Sequence, residues 1–178
     1  TIDSTWQAEV NPGVMYNAHE KQFYTDRKEN SFVKNGKLII RANKEKHVIA
    51  DHTSARLNTY GKYNVKYGKI EARIKTASAD GIRCKMFMLP KDIVAYGTWA
   101  MSGQIDVFET SGANPTKAKG GIYHGGQGHA NVYNSGEYTG TEDLSQDYHI
   151  YTVEWQPYEM RWFIDGQLYA MQNQWSSF

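Results

Sequence analysis

A single cysteine, Cys84, excludes any internal disulfide. No stretch approaches the roughly 20 apolar residues that a membrane helix needs, so no membrane partner is expected. Charge of neither sign accumulates: 20 Lys and Arg stand against 19 Asp and Glu, with no long basic run, which argues against nucleic acid as a partner. The six histidines, His19, His47, His52, His124, His129 and His149, are scattered and gather no zinc set with Cys84. No window of about 11 or more residues carries a helical period. Internal repeats, low-complexity tracts and linkers are absent too, and the 178 residues read as one domain with a single core. Thr1 opens directly into polar, strand-like sequence with no signal peptide in view.

What is present reads as strands and turns. Thirteen tyrosines, five tryptophans and sixteen glycines accompany only four prolines. Asn35-Gly36 separates Ser31-Phe32-Val33 from Lys37-Leu38-Ile39-Ile40, and Asp165-Gly166 separates Met160–Ile164 from Gln167–Ala170; both dipeptides suit two-residue hairpin turns. Met160, Trp162 and Ile164 share one strand face. His149, Tyr151, Val153 and Trp155 form another alternating set. Tyr63, Val65 and Tyr67 alternate, then Ile70, Ala72 and Ile74 on the opposite parity, which predicts one long strand bent or bulged at Gly68. Many short alternating strands with turns between them predict an all-β fold, an antiparallel β-sandwich.

The chemistry concentrates in Ser102-Gly103-Gln104-Ile105-Asp106-Val107-Phe108-Glu109. Gln104 and Asp106, two apart, project from one strand face. Glu109 would point away on a regular strand, but one extra residue at Val107-Phe108 brings it back. Two carboxylates about 5–5.5 Å apart suit retaining glycoside hydrolysis, one attacking the anomeric carbon and one protonating the leaving oxygen. A third carboxylate between them holds or shifts protons. Asp106 and Glu109 also have a plain reading as solvated residues on an otherwise apolar strand.

In this region the sequence resembles glycoside hydrolase family 16, and within it the laminarinase-like endo-β-1,3-glucanases, whose signature is Glu-x-Asp-x-x-Glu. Further matching stretches are Tyr24–Asn30 with Gly36–Ile40, Thr53–Leu57, Tyr67–Lys75, and Tyr148–Trp155 running into Arg161–Gly166. The resemblance implies a concanavalin-like β-jelly roll with an open substrate cleft, a secreted and monomeric protein, no required cofactor, and room for a structural calcium. It places Gln104 at the nucleophile position, Asp106 as the assisting carboxylate and Glu109 as the general acid/base. Trp99 resembles the ring that stacks under a sugar at the cleavage point, and Glu20 and Arg56 resemble polar residues of the donor side. Tyr123 and His124 fall in a substrate-binding stretch. The partner implied is a β-linked polysaccharide or oligosaccharide, β-1,3 or mixed β-1,3/1,4 glucan. The family continues for several strands beyond Phe178, so the chain is expected to lack the last strands of its domain.

Departures from the family pattern matter equally. Ile82-Arg83-Cys84-Lys85-Met86-Phe87-Met88 loses aromatic positions and gains two cations. Tyr123 and His124 are exchanged relative to the family order, and Gly128-His129 replaces Trp-Pro. Above all, an amide at 104 is a poor nucleophile and cannot stabilise a developing oxocarbenium ion as an anion would. Hydrolysis is therefore expected to be disabled or strongly impaired, with Gln104→Glu restoring it if the remaining site is intact. Three origins of Gln104 stand open: the intact Asp106 and Glu109 favour a deliberate trap for a sugar complex, and the losses around Arg83–Met86 favour a natural non-catalytic relative or a sequence error. Two other readings stand beside the glucanase: a polysaccharide-recognition protein without catalysis, and an enzyme for a sulfated galactan with Arg83 and Lys85 pairing sulfate.

Overall fold

A computed structural model describes residues 1–92, 97, 99–125 and 132–175. The chain divides into two compact units, Thr1–Asn64 and Val65–Phe178. Among the described residues no helix is long and apolar enough to cross a membrane.

The first unit carries eight short strands: β1 (Gln7–Ala8), β2 (Asn11–Pro12), β3 (Gln22–Tyr24), β4 (Ser31–Lys34), β5 (Lys37–Ile40), β6 (Asn43–His47), β7 (Ala50–Ser54) and β8 (Leu57–Asn58). The Asn35-Gly36 hairpin forms between β4 and β5, with both turn residues at positive φ, 51° and 73°, as a type I′ turn requires. One pairing departs from the antiparallel expectation: β3 runs parallel to β7, Gln22 opposite His52. A polar knot rather than an apolar core holds this region. Buried Asn30 donates to the Arg41 carbonyl (3.1 Å) and Thr53 Oγ1 (2.9 Å), and its amide oxygen accepts from Thr25 Oγ1 (2.5 Å) and Arg27 Nη2 (3.1 Å). Each buried polar group thus has its partner, which is what makes such a knot tolerable away from water.

The second unit is a sandwich of two four-stranded antiparallel sheets. Its strands are β9 (Gly68–Ile74), β10 (Arg83–Met88), β11 (Gln104–Ser111), β12 (Lys117–His124), β13 (Val132–Thr139), β14 (His149–Gln156), β15 (Glu159–Ile164) and β16 (Gln167–Gln172). One sheet runs β10-β11-β12-β13 and the other β16-β15-β14-β9. Val107 and Ile122 from the first meet Val153, Met160, Trp162 and Ala170 from the second in one core cluster. Met160, Trp162 and Ile164 are all buried, as their alternation predicts, and the Asp165-Gly166 turn joins β15 to β16. The long strand expected across Gly68 does not form. Tyr67 and Gly68 both take positive φ, 63° and 120°, so the extended run breaks there and β9 begins at Gly68.

Two features fix how closely the sheets approach. A Cβ on Gly120 would lie 2.3 Å from Trp162 Cδ1, and one on Gly136 would lie 2.3 Å from the Ala170 Cβ. These two glycines pair across β12 and β13, opening a groove into which Trp162 and Ala170 fit. The Trp162 indole then donates to the Asp106 backbone carbonyl at 2.7 Å, a hydrogen bond made from one sheet to the other.

Both contacts generate tests by chemical denaturation. Gly120→Ala overpacks against Trp162 and is expected to destabilise the protein by about 1–3 kcal/mol. Trp162→Phe fills most of the same volume but orphans the buried Asp106 carbonyl, with an expected loss of about 1–3 kcal/mol. An unchanged denaturation midpoint in either variant would mean that the sheets do not depend on this contact.

Candidate active site

The geometry begins with an irregularity in β11. Asp106 pairs with Gly121 and Glu109 with Lys119, so three steps along β11 match two along β12. The extra residue lets consecutive Val107 and Phe108 both face inward, each buried, in two different core clusters. It also returns Glu109 to the face that carries Gln104 and Asp106. The backbone groups that a bulge removes from the ladder need other partners, and the Trp162 indole takes the Asp106 carbonyl.

The side chains on this face form one network. Trp99, half exposed, donates its indole N–H to Gln104 Oε1 at 2.8 Å. Gln104 Nε2 donates to Asp106 Oδ1 at 2.6 Å. The amide is therefore oriented by a donor on one side and a carboxylate on the other, a role an ionised carboxylate at 104 would fill poorly beside Asp106. Asp106 has no exposed surface. Its other oxygen, Oδ2, accepts from the Tyr133 hydroxyl at 3.3 Å and pairs with Lys85 Nζ at 2.9 Å. The same ammonium lies 3.2 Å from Glu109 Oε2, and Arg83 Nη1 lies 3.7 Å from Glu109 Oε1.

Burial pushes the Asp106 carboxyl above the usual carboxylate range, against the opposing pull of Lys85 and the Gln104 hydrogen bond. Burial alone would lower Lys85, but the charges and hydrogen bonds of Asp106 and Glu109 outweigh it and hold the ammonium above its ordinary value. Burial raises the Tyr133 hydroxyl, with the Asp106 charge adding to it, so Tyr133 serves as a neutral donor. Aromatic rings wall the network. Tyr123 stacks on Tyr133 with centroids 4.0 Å apart, and Trp99 stands 5.0 Å from Tyr123. Such rings present apolar faces to the C–H side of a sugar, with polar groups at their edges.

Gln104, Asp106, Glu109, Trp99 and Tyr123 are thus brought together by the second unit. His124 stands apart from them. Strand alternation turns it to the opposite side of β12 from Tyr123, where it lies 3.0 Å from Asn134 Nδ2 and burial lowers its pKa. Gly126, Gly128 and His129 lie outside the described residues. Glu20 and Arg56 belong to the first unit. Glu20 Oε2 accepts from Gln22 Nε2 and the Tyr24 hydroxyl, both at 2.8 Å. Arg56 pairs with Glu9 at 3.1 Å and lies over the Tyr16 ring at 3.8 Å, and Tyr16 in turn neighbours Tyr24 at 6.1 Å. The two therefore share one polar-aromatic cluster, linked through a pair of tyrosines.

Sequence reasoning missed Tyr133 and did not find the partners of Lys85. Tyr133 belongs to a strand, Val132–Thr139, whose sequence carries no catalytic motif. Arg83 and Lys85 were candidates for binding sulfate, but both pair with carboxylates of this same face. Among the described residues no group of three or more His, Cys, Asp or Glu side chains is arranged to hold a metal ion. Asp106 and Glu109 have an ammonium between them instead.

Comparison with known proteins places this arrangement. Residues 18–177 match Glycosyl hydrolases family 16. The chain is 38% identical over 165 residues to the glucan endo-1,3-beta-glucosidase A1 of Niallia circulans, which is 87% of this chain and 24% of that protein. It is 30% identical over 137 residues to a beta-1,3-glucan-binding protein of Penaeus monodon, 72% of this chain and 37% of that one. The solved laminarinase of Rhodothermus marinus superposes with a TM-score of 0.87 at 34% identity, covering 96% of this chain and 68% of that chain. The chain spans between 24% and 59% of the length of the curated relatives it matches. A family match over nearly the whole chain, together with the bulged Gln-x-Asp-x-x-Glu strand, establishes that this chain belongs to glycoside hydrolase family 16.

Proposed function

We propose that this chain binds a β-1,3-linked or mixed-linkage glucan on the face that carries Gln104, Asp106 and Glu109, and that it does not hydrolyse it. The observation that carries this reading is the Gln104 amide, fixed between the Trp99 N–H and the Asp106 carboxylate at the position where the family resemblance puts the nucleophile. In the retaining reaction a carboxylate at that point bonds to the anomeric carbon while Glu109 protonates the leaving oxygen. A carboxamide does not supply the first step, and its absence raises the barrier by several kcal/mol. Binding survives, because the amide still donates and accepts hydrogen bonds, one of them from the Trp99 indole, and the Trp99, Tyr123 and Tyr133 rings stay in place.

Both kinds of relative support the reading, since they include a glucan endo-1,3-beta-glucosidase and a beta-1,3-glucan-binding protein. The family match crosses both units, which supports treating them as parts of one family 16 domain. Glu20 and Arg56 are proposed as further sugar contacts on the strength of the family resemblance. We also read the protein as secreted and monomeric, needing no cofactor for binding.

The test combines calorimetry with a reducing-end assay. The unaltered chain is expected to bind laminarihexaose while releasing no new reducing ends from laminarin. Trp99→Ala should weaken binding by about 1–3 kcal/mol, the range for losing a large stacking surface. Failure to bind laminari-oligosaccharides, or hydrolysis by the unaltered chain, would overturn the reading.

A further inference from the structure

Gln104 accounts for the missing nucleophile, but the same face carries an obstacle to the other half of the reaction. The β10–β11 register sets Lys85 directly opposite Glu109, so its stem lies along the face that the bulge assembles. Its ammonium sits between Asp106 Oδ2 (2.9 Å) and Glu109 Oε2 (3.2 Å). The side chain is only 21% exposed, with the Phe87 and Tyr123 rings 5.4 and 5.6 Å from the nitrogen. This is a seated ion pair and not a flexible surface lysine. Arg83 adds a second cation on the outer side of Glu109.

We infer that Lys85 is an internal counter-ion to Glu109 that takes away its use as a proton donor, a second block on hydrolysis independent of Gln104. This rests on the glucan reading above. A carboxyl group that is to protonate a leaving oxygen must turn an oxygen toward it, and here Glu109 Oε2 is engaged by the Lys85 ammonium instead. In the full reaction a nucleophilic carboxylate bonds to the anomeric carbon as the bond to the leaving oxygen breaks. That oxygen takes the electron pair and the Glu109 proton. Water then returns a proton to Glu109 and its hydroxyl to the anomeric carbon, releasing the carboxylate. Gln104→Glu supplies the attacking group alone. Proton donation stays blocked while Lys85 stands, so this single change does not suffice.

The experiment separates the two steps by leaving group. A 2,4-dinitrophenyl β-laminaribioside departs as a stable phenolate and needs no proton, whereas laminarin needs one. Gln104→Glu is expected to release dinitrophenolate from the activated glycoside with laminarin cleavage still at background. Across aryl laminaribiosides its rates should fall steeply as the leaving group becomes more basic. In Gln104→Glu/Lys85→Met that slope should flatten, and laminarin cleavage should rise by roughly 100- to 10,000-fold, the usual contribution of a general acid. Equal laminarin cleavage by the single and double variants overturns the inference, as does a double variant that gains nothing or an absence of dinitrophenolate release in both. If the lysine substitution unfolds the protein, the contrast between activated glycoside and laminarin in Gln104→Glu decides by itself. Laminarihexaose binding is measured on every variant. Retained binding confines a failure to the Lys85 inference, and lost binding in folded protein counts against the glucan reading.

Discussion

The active face depends on one backbone irregularity, the extra residue between Asp106 and Glu109. A regular strand would alternate Val107 and Phe108 and leave Glu109 on the wrong side. The bulge is stable because both of these side chains find core, Val107 against Ile122, Val153 and Trp162, and Phe108 against Tyr151 at a centroid distance of 4.2 Å. Its freed carbonyl at Asp106 is taken by the Trp162 indole. Trp162 reaches that carbonyl only because Gly120 leaves room for its ring. The sandwich core and the row of functional side chains are therefore two faces of one packing solution.

On the outer side of that row, charge is arranged for mutual satisfaction. Asp106 is wholly buried, and a buried carboxylate needs partners. It has three: the Gln104 amide, the Tyr133 hydroxyl and the Lys85 ammonium. A glycosidase needs the opposite balance, with crowded carboxylates whose repulsion keeps one of them protonated. Gln104 removes one negative charge and Lys85 introduces a positive one, and both changes shift the face from crowding toward neutrality. The two departures thus form one electrostatic pattern.

Much of this was legible in the sequence. The Asn35-Gly36 and Asp165-Gly166 turns, the inward set Met160-Trp162-Ile164 and the all-β class follow from local rules, because turn chemistry and period-2 alternation act over a few residues. The bulge was legible too, from a three-residue spacing read together with the family resemblance, which implies one shared face. The long strand through Gly68 was misread, since alternation alone does not reveal two consecutive positive φ angles. That His124 contacts Asn134 on the side of β12 away from Tyr123 needs the partner strand to be known. The parallel pairing of β3 with β7 has no local signature at all.

By itself, then, the sequence determined the class of fold and the strand that carries the carboxylates, since each is a property of residue type and near-neighbour spacing. The tertiary structure alone decided what Lys85 does. In the sequence it is one of two cations on an outlying strand, available to solvent or to a bound anion. Strand register across β10 and β11 sets it between Asp106 and Glu109, 24 residues further along the chain in the second case. Register is fixed by packing across the whole sheet, so the partner of a charge is not encoded near it. The same holds for Tyr133, brought to Asp106 by strand order within one sheet, and for the Trp162 indole, brought to it by the packing of one sheet on the other.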